Sequence, residues 1–248
     1  MLYMWRPFVH MFYGAIYGPT NGAPPGCIWT RQINTPLTWI RSFLKGTPGE
    51  LERAFTVDAF LRQGPRVTVT TDASPYGLGA VLDVDGVISS YFSSQITDMD
   101  RQILSLHENP SSRDQQVLEG LALLVALRQW APYWKNRRVV LSVRTDNIAT
   151  LTMACKMQPH SDQMAIIARE LALDICRSSV SPDDATHIPG IANKAADALS
   201  RLHQPGVSHS LPSYLLPEHR REASARPREW WLTVPYRHSG KRRRIKGN

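Results

Sequence analysis

The sequence predicts an α/β fold, and three observations carry that prediction. Between residues 66 and 203, short β-branched runs alternate with longer stretches of helical periodicity. Those pieces follow the order β-β-β-α-β-α-α-β-α. Four acids, Asp72, Glu119, Asp146 and Asp197, fall on the first strand, the first helix, the end of the fourth strand and the last helix.

The chain has 248 residues, enough for one good core with extensions on either side. Three scattered cysteines, Cys27, Cys155 and Cys176, form no CxxC pair, so neither a zinc site nor a disulfide framework is expected. A reducing, intracellular setting, cytoplasmic or nuclear, fits this usage. No run is apolar and long enough to span a membrane. The opening MLYMWRPFVHMFYGAIYG is interrupted by Arg6 and His10, which argues against a signal peptide. From Arg220 onward ten Lys/Arg face two Glu, a net of +8 that equals the charge of the whole chain. The basicity therefore belongs to a tail, which either neutralises nucleic-acid phosphates or is a solvated end.

Residues 1–65 are broken by Gly18-Pro19, Pro24-Pro25-Gly26 and Pro48-Gly49. Thr35–Leu44 reads as a short amphipathic helix, with Thr35 as N-cap, Pro36 in the first turn, and Leu37, Ile40, Arg41 and Leu44 on one face. Leu51–Leu61 reads as a second helix ended by Gly64-Pro65.

The stretch VTVTTDASPYGLGAVL, Val67 to Leu82, reads as two strands around a Ser-Pro-Tyr-Gly turn. DVDG at 83–86 is a hairpin turn, Val87–Phe92 a third strand, and the polar Ser93–Gln115 a loop. The run from Ser111 to Trp130 is a strong helix that Ser112 or Asp114 can cap. Glu119 shares a stripe there with Ala122, Leu123, Ala126 and Trp130, which brings a carboxylate near a buried face. Arg138–Arg144 is a fourth strand, and Asp146 follows it. Ile148–Met157 and Gln163–Arg177 are helices, and Thr186–Ile188 is a short strand. Asn193–Leu202 is the closing helix, with Ala195, Ala198, Leu199 and Leu202 apolar and Asp197 off that stripe. Residues 204–248 are rich in Pro, Arg and Ser, and Trp230-Trp231 is expected to dock on the body rather than to stack on bases.

Four carboxylates from separate elements suit hard cations, Mg²⁺ or Mn²⁺, because clustering them bare is repulsive. Two such ions about 4 Å apart can activate a water and stabilise a leaving oxygen. Ser74 lies near Asp72, but no His–Asp pattern makes it a nucleophile.

The blocks TDASPYGLGAVL, EGLALLVALRQW, RTDN and HIPGIANKAADALSR resemble the RNase H domain of retroelement polyproteins of the LTR and DIRS kinds, over residues 66–203. The resemblance implies a mixed five-stranded sheet flanked by helices and cleavage of the RNA strand of RNA–DNA hybrids. It carries over Asp72 as the acid bridging two metal ions, with Asp197 at the ion bearing the attacking water. Glu119 and Asp146 would join Asp72 at the leaving 3′ oxygen. The mobile His that cellular members carry before the last helix is missing from Gly190–Asn193, and His187 is assigned to the strand. No basic protrusion is evident either. Residues 1–65 resemble, more weakly, the thumb-to-connection region that follows a reverse transcriptase palm. No YxDD-like motif occurs, so polymerase activity is not expected of this chain, which resembles the carboxyl-terminal piece of a larger polyprotein, or a relic reading frame, with a reverse transcriptase polymerase domain missing from it as a possible partner.

Two other readings compete. A retroelement relic or binding module could keep the fold without cutting, although all four acids are present. A strand transferase of the same superfold would need Glu170 as its last acid and would leave Glu119 unexplained. Hybrid recognition is expected through 2′-hydroxyls and phosphates. Asn147 stays open between substrate contact and turn former, and a structural role is preferred for Asn193.

Overall fold

A computed structural model of the chain describes residues 2–17, 24, 27–46, 61, 64–107, 111–134, 139–177 and 184–234. Five strands form one sheet: β1 (Arg66–Ser74), β2 (Gly77–Val84), β3 (Val87–Gln95), β4 (Val140–Thr145) and β5 (Asp184–His187). Their order is β3-β2-β1-β4-β5. β1, β2 and β3 pair antiparallel through tight turns, whereas β1–β4 and β4–β5 pair parallel. Parallel neighbours need crossovers, and helices supply them. The described helices are α1 (Arg6–Tyr17), α2 (Thr30–Leu44), α3 (Asp98–Leu104), α4 (Ser112–Gln129), α5 (Ala131–Trp134), α6 (Ile148–Lys156), α7 (Asp162–Arg177) and α8 (Lys194–Arg201). This is the mixed five-stranded sheet with flanking helices that the resemblance implies.

Strand alternation divides the sheet into two faces. Val67, Val69, Leu78, Ala80, Leu82 and Phe92 point into the main core with Leu118, Leu121 and Leu124 of α4 and Ile167 and Leu171 of α7. Val81 and Tyr91 point the other way and pack on Leu199 of α8 and on Leu215. α4 is buried over most of its length, which explains its near-continuous apolar run.

Several expectations are corrected. The polar stretch 93–115 is not simply a loop: β3 runs on to Gln95, and α3 follows. Thr97 and Asp100 form a reciprocal capping box for α3, and its Ile103 and Leu104 are buried. Ser111, not Ser112, caps α4, with Asp114 closing the box. α2 begins at Thr30, ahead of the expected Thr35, and holds Pro36 inside it. The face that α2 buries carries Trp39, while Leu37 and Leu44 are exposed. Phe8 of α1 packs edge-on to Trp39 and Phe43 at 4.9 and 5.1 Å between ring centres. On α8 the fully buried residues are Ala196, Leu199 and Ser200, so the buried face is turned away from the expected stripe of Ala195, Ala198, Leu199 and Leu202 and carries a polar side chain. The helix expected over 51–61 lies outside the described residues apart from Leu61, as does the basic run at 241–246.

Residues 204–234, expected as part of a flexible basic tail, instead wrap the body. Tyr91 and Arg220 form a parallel bridge on the free edge of β3, and the Arg221 N–H donates to the Tyr91 carbonyl at 2.9 Å. Arg226 is buried against Asp100, with its Nε 3.0 Å from Oδ2, and its remaining nitrogens donate to Ser94 Oγ and the Gln95 carbonyl. Trp231 and Val234 join the main core, so the Trp pair docks as expected. Arg128 sits over the Trp230 ring at 4.2 Å.

Candidate metal centre

β1 and β4 run parallel until Thr70 pairs with Arg144. Asp72 and Asp146 each lie two positions beyond that pair, where the ladder has ended and the strands can part. This gap at the carboxyl ends of two parallel strands, beside the strand where the sheet changes direction, is where open α/β sheets place ligands. Glu119, from the middle of α4, reaches the same gap. One carboxylate oxygen from each of Asp72, Glu119 and Asp146 lies within 4.8 Å of the other two.

The environment of each acid differs. Asp72 is buried and faces α8. Ser200 Oγ donates to its Oδ2 at 2.6 Å, and Asn193 Nδ2 donates to its Oδ1 at 3.3 Å and to the Thr71 carbonyl at 3.1 Å. Burial pushes the Asp72 carboxyl up to about 7; Ser200 opposes that shift, and the Asp146 and Asp197 charges add to it. Glu119 is also buried. Gln115 Nε2 bridges its Oε1, at 3.2 Å, and the Ala73 carbonyl, at 2.6 Å. Among the described residues the buried Glu119 Oε2 has no hydrogen-bond partner. Burial, reinforced by the Asp72 and Asp146 charges, pushes its carboxyl up to about 9. Asp146 is half-buried. The Gly190 backbone passes so close that a Cβ there would sit 3.2 Å from its Oδ2, and His187 Nε2 lies 3.1 Å from its main-chain carbonyl oxygen.

Asp197 lies outside this three-acid group. Its half-exposed carboxylate accepts a hydrogen bond from Arg201 Nε at 2.7 Å, one helical turn away. It still stands near enough for its charge to act on Asp72. Of the four acids selected from the sequence, three converge and the fourth borders them. Asn147 caps α6 by accepting from the Thr150 N–H at 2.9 Å. Glu170 is fully buried, ion-paired with Arg128 at 2.6 Å, and accepts from the Leu232 N–H, the Thr233 N–H and Thr233 Oγ1. That saturated carboxylate anchors the C-terminal segment and is not part of the three-acid group.

The residues present fit a hard divalent cation. The donor set is all carboxylate oxygen, one buried oxygen lacks a partner among the described residues, and burial, with the neighbouring acids' charges behind it, drives the Asp72 and Glu119 carboxyls upward. The partners that sequence reasoning missed are Gln115 and Ser200, together with the bond from Asn193 to Asp72. A signal for two of them was present: Asn193, Asp197 and Ser200 recur at the spacing of one helix face.

No protein-family model matches the sequence, and no curated protein does. Solved structures similar to it include the following two. One is RNase H1 from the halophilic archaeon Halobacterium salinarum NRC-1, 20% identical, with a TM-score of 0.41 over 57% of this chain and 99% of that one. The other is the foamy viral protease-reverse transcriptase dRH in complex with ds DNA, 14% identical, with a TM-score of 0.23 over 88% of this chain and 32% of that one.

Proposed function

We propose that this chain is a divalent-metal-dependent nuclease that hydrolyses the RNA strand of RNA–DNA hybrids, as the RNase H part of a retroelement reverse transcriptase. The observation that carries the reading is the convergence of Asp72, Glu119 and Asp146 at the end of the β1–β4 ladder, with one buried Glu119 oxygen unpartnered. In this proposal residues 66–203 carry the nuclease, residues 1–65 are a remnant of a thumb and connection region, and the partner is a reverse transcriptase polymerase domain that this sequence does not contain. The work is done inside the cell, in the cytoplasm or nucleus, where free cysteines persist.

Asp72, Glu119 and Asp146 would hold one Mg²⁺ or Mn²⁺ ion, and Asp72 with Asp197 a second. When bound, such ions supply an activated water and charge stabilisation at the leaving oxygen. The chain's own contribution is positional. Ser200 and Asn193 fix the Asp72 carboxylate, Gln115 fixes Glu119 against β1, and the Gly190 loop walls off Asp146. Water attacks phosphorus, the P–O3′ bond breaks, and the products carry a 5′-phosphate and a 3′-hydroxyl.

The test is cleavage of a hybrid labelled on each strand, with Mg²⁺, by the purified chain and by Asp72→Asn. Cutting of the RNA strand alone, lost in the variant, is the expected outcome. Cutting that survives Asp72→Asn, or no cutting even with a polymerase domain added, would sink the reading.

A further inference from the structure

We infer that Ser200, seconded by Asn193, is the positioning residue that orients Asp72 for the cation, so that α8 sets the metal affinity of a site whose three converging acids all lie elsewhere. The inference rests on the metal-dependent reading above.

The argument begins with spacing. Residues 193, 197 and 200 are four and then three apart, so they share one face of α8 and its first cap. That face lies over β1 and carries an amide, a carboxylate and a hydroxyl. Ser200 has no exposed surface, and Asn193 is buried as well. A buried hydroxyl in a helix most often bonds back to its own turn. Ser200 does so with the Asp197 carbonyl at 2.9 Å, but its shorter bond, at 2.6 Å, goes to Asp72 Oδ2. Asn193 stands at the N-cap position of α8 yet makes no side-chain capping bond. Its amide is spent on β1 instead, on Asp72 Oδ1 and the Thr71 carbonyl. Both Asp72 oxygens are therefore held by donors from one helix. Neither Glu119 oxygen is reached from α8: one is held by Gln115, and the other has no hydrogen-bond partner among the described residues.

The fold makes room for this contact. A Cβ on Gly79, which pairs with Asp72 across the β1–β2 ladder, would sit 2.6 Å from the Ser200 nitrogen and 2.8 Å from Leu199 Cβ. Only glycine lets α8 come down far enough for a serine, with its short side chain, to reach the carboxylate. A separate bond anchors the helix without touching the acid: Ser74 Oγ donates to the Ser200 main-chain carbonyl at 2.7 Å. Docking of α8 and orientation of Asp72 can thus be separated by mutation. Partners that orient a metal ligand typically govern affinity by tenfold or more.

The test is Mn²⁺ binding by titration calorimetry on the full chain, with circular dichroism as the check on folding. Ser200→Ala is expected to weaken Mn²⁺ by about tenfold or more, and Ser74→Ala to stay within about twofold of the parent. In hybrid cleavage, the Mn²⁺ concentration giving half-maximal rate should rise by the same factor in Ser200→Ala, with KM for the hybrid unchanged. Parent-like Mn²⁺ binding by Ser200→Ala would overturn the inference and leave the metal-dependent reading standing. So would equal losses in both variants, which would mean that α8 docking alone matters. A parent chain that binds no Mn²⁺ would overturn both. If Ser200→Ala does not fold, Asn193→Ala carries the same threshold and decides in its place.

Discussion

Glu119 shows how one side chain ties stability to function. Its carboxyl is buried beside two other acids and titrates at about 9, against 4.5 for a free group. Asp72 titrates at about 7, against 3.8. Both folded values are raised, so the stability these groups lend the metal-free protein is whole below about pH 4 and is lost as pH rises through about 7 and then about 9. Calorimetry in a chelator should show the melting temperature falling across that window. Adding Mg²⁺ should flatten the fall, and apparent Mg²⁺ affinity should climb over the same range because the cation must displace protons. Glu119→Gln removes the upper part of the effect. Near pH 8 the metal-free variant should melt higher than the parent by about 2–4 °C, equivalent to roughly 1 kcal/mol, while losing hybrid cleavage. A variant that melts lower would show that the buried, charge-crowded carboxyl does not destabilise the fold at this pH. Residues of this kind were legible in the sequence because each acid marks a strand end or interrupts an apolar helix. Gln115 was not legible, because a glutamine in a helix carries no sign of a partner on a distant strand, and the spacing of Asn193, Asp197 and Ser200 marks one helix face without naming Asp72 as its partner.

Among the elements, the contact between α8 and the β1–β2 hairpin is the critical one. Gly79→Ala places a methyl group against the α8 backbone, and overpacking of this sort costs about 1–3 kcal/mol. Urea unfolding should read that loss, and Mn²⁺ affinity should fall with it because Ser200 is lifted away from Asp72. An unchanged urea midpoint would mean that the helix has slack the geometry does not suggest. The strands and long helices could be read from alternation and periodicity, which are local signals. α3 could not: it is seven residues long, and a Thr97–Asp100 capping box starts it within a polar run where composition alone suggests a loop. The buried side of α2 was misjudged for a related reason. Leu37 and Leu44 are apolar but exposed, and the aromatic Trp39 and Phe43 made the contact with α1.

At the scale of the whole molecule, the C-terminal segment is a working part of the body. Arg226 and Asp100 lie buried against each other, 126 positions apart in the chain. Removing one member of a buried pair costs about 3–5 kcal/mol because the other charge is left stranded. Arg226→Ala should therefore lower the urea midpoint sharply, whereas Arg221→Ala, at an exposed position, should not. A chain cut after His203 would also strip Leu232 and Thr233 from Glu170 and, by removing Leu215, uncover Val81 and Tyr91, and it should fail to give a cooperative unfolding transition. None of this was legible locally, since a Pro- and Arg-rich sequence looks the same whether it floats or is clamped by charges far upstream. Separation along the chain has a last consequence at the metal centre. Asp72 and the hydroxyl that orients it are 128 positions apart. A ribosome delivers β1, α4 and the end of β4 long before it delivers α8, so a half-made chain holds three acids but no means of aiming the first. Synthesis thereby imposes an order of its own, in which the first acid gains its orienting hydroxyl only once α8 has been made.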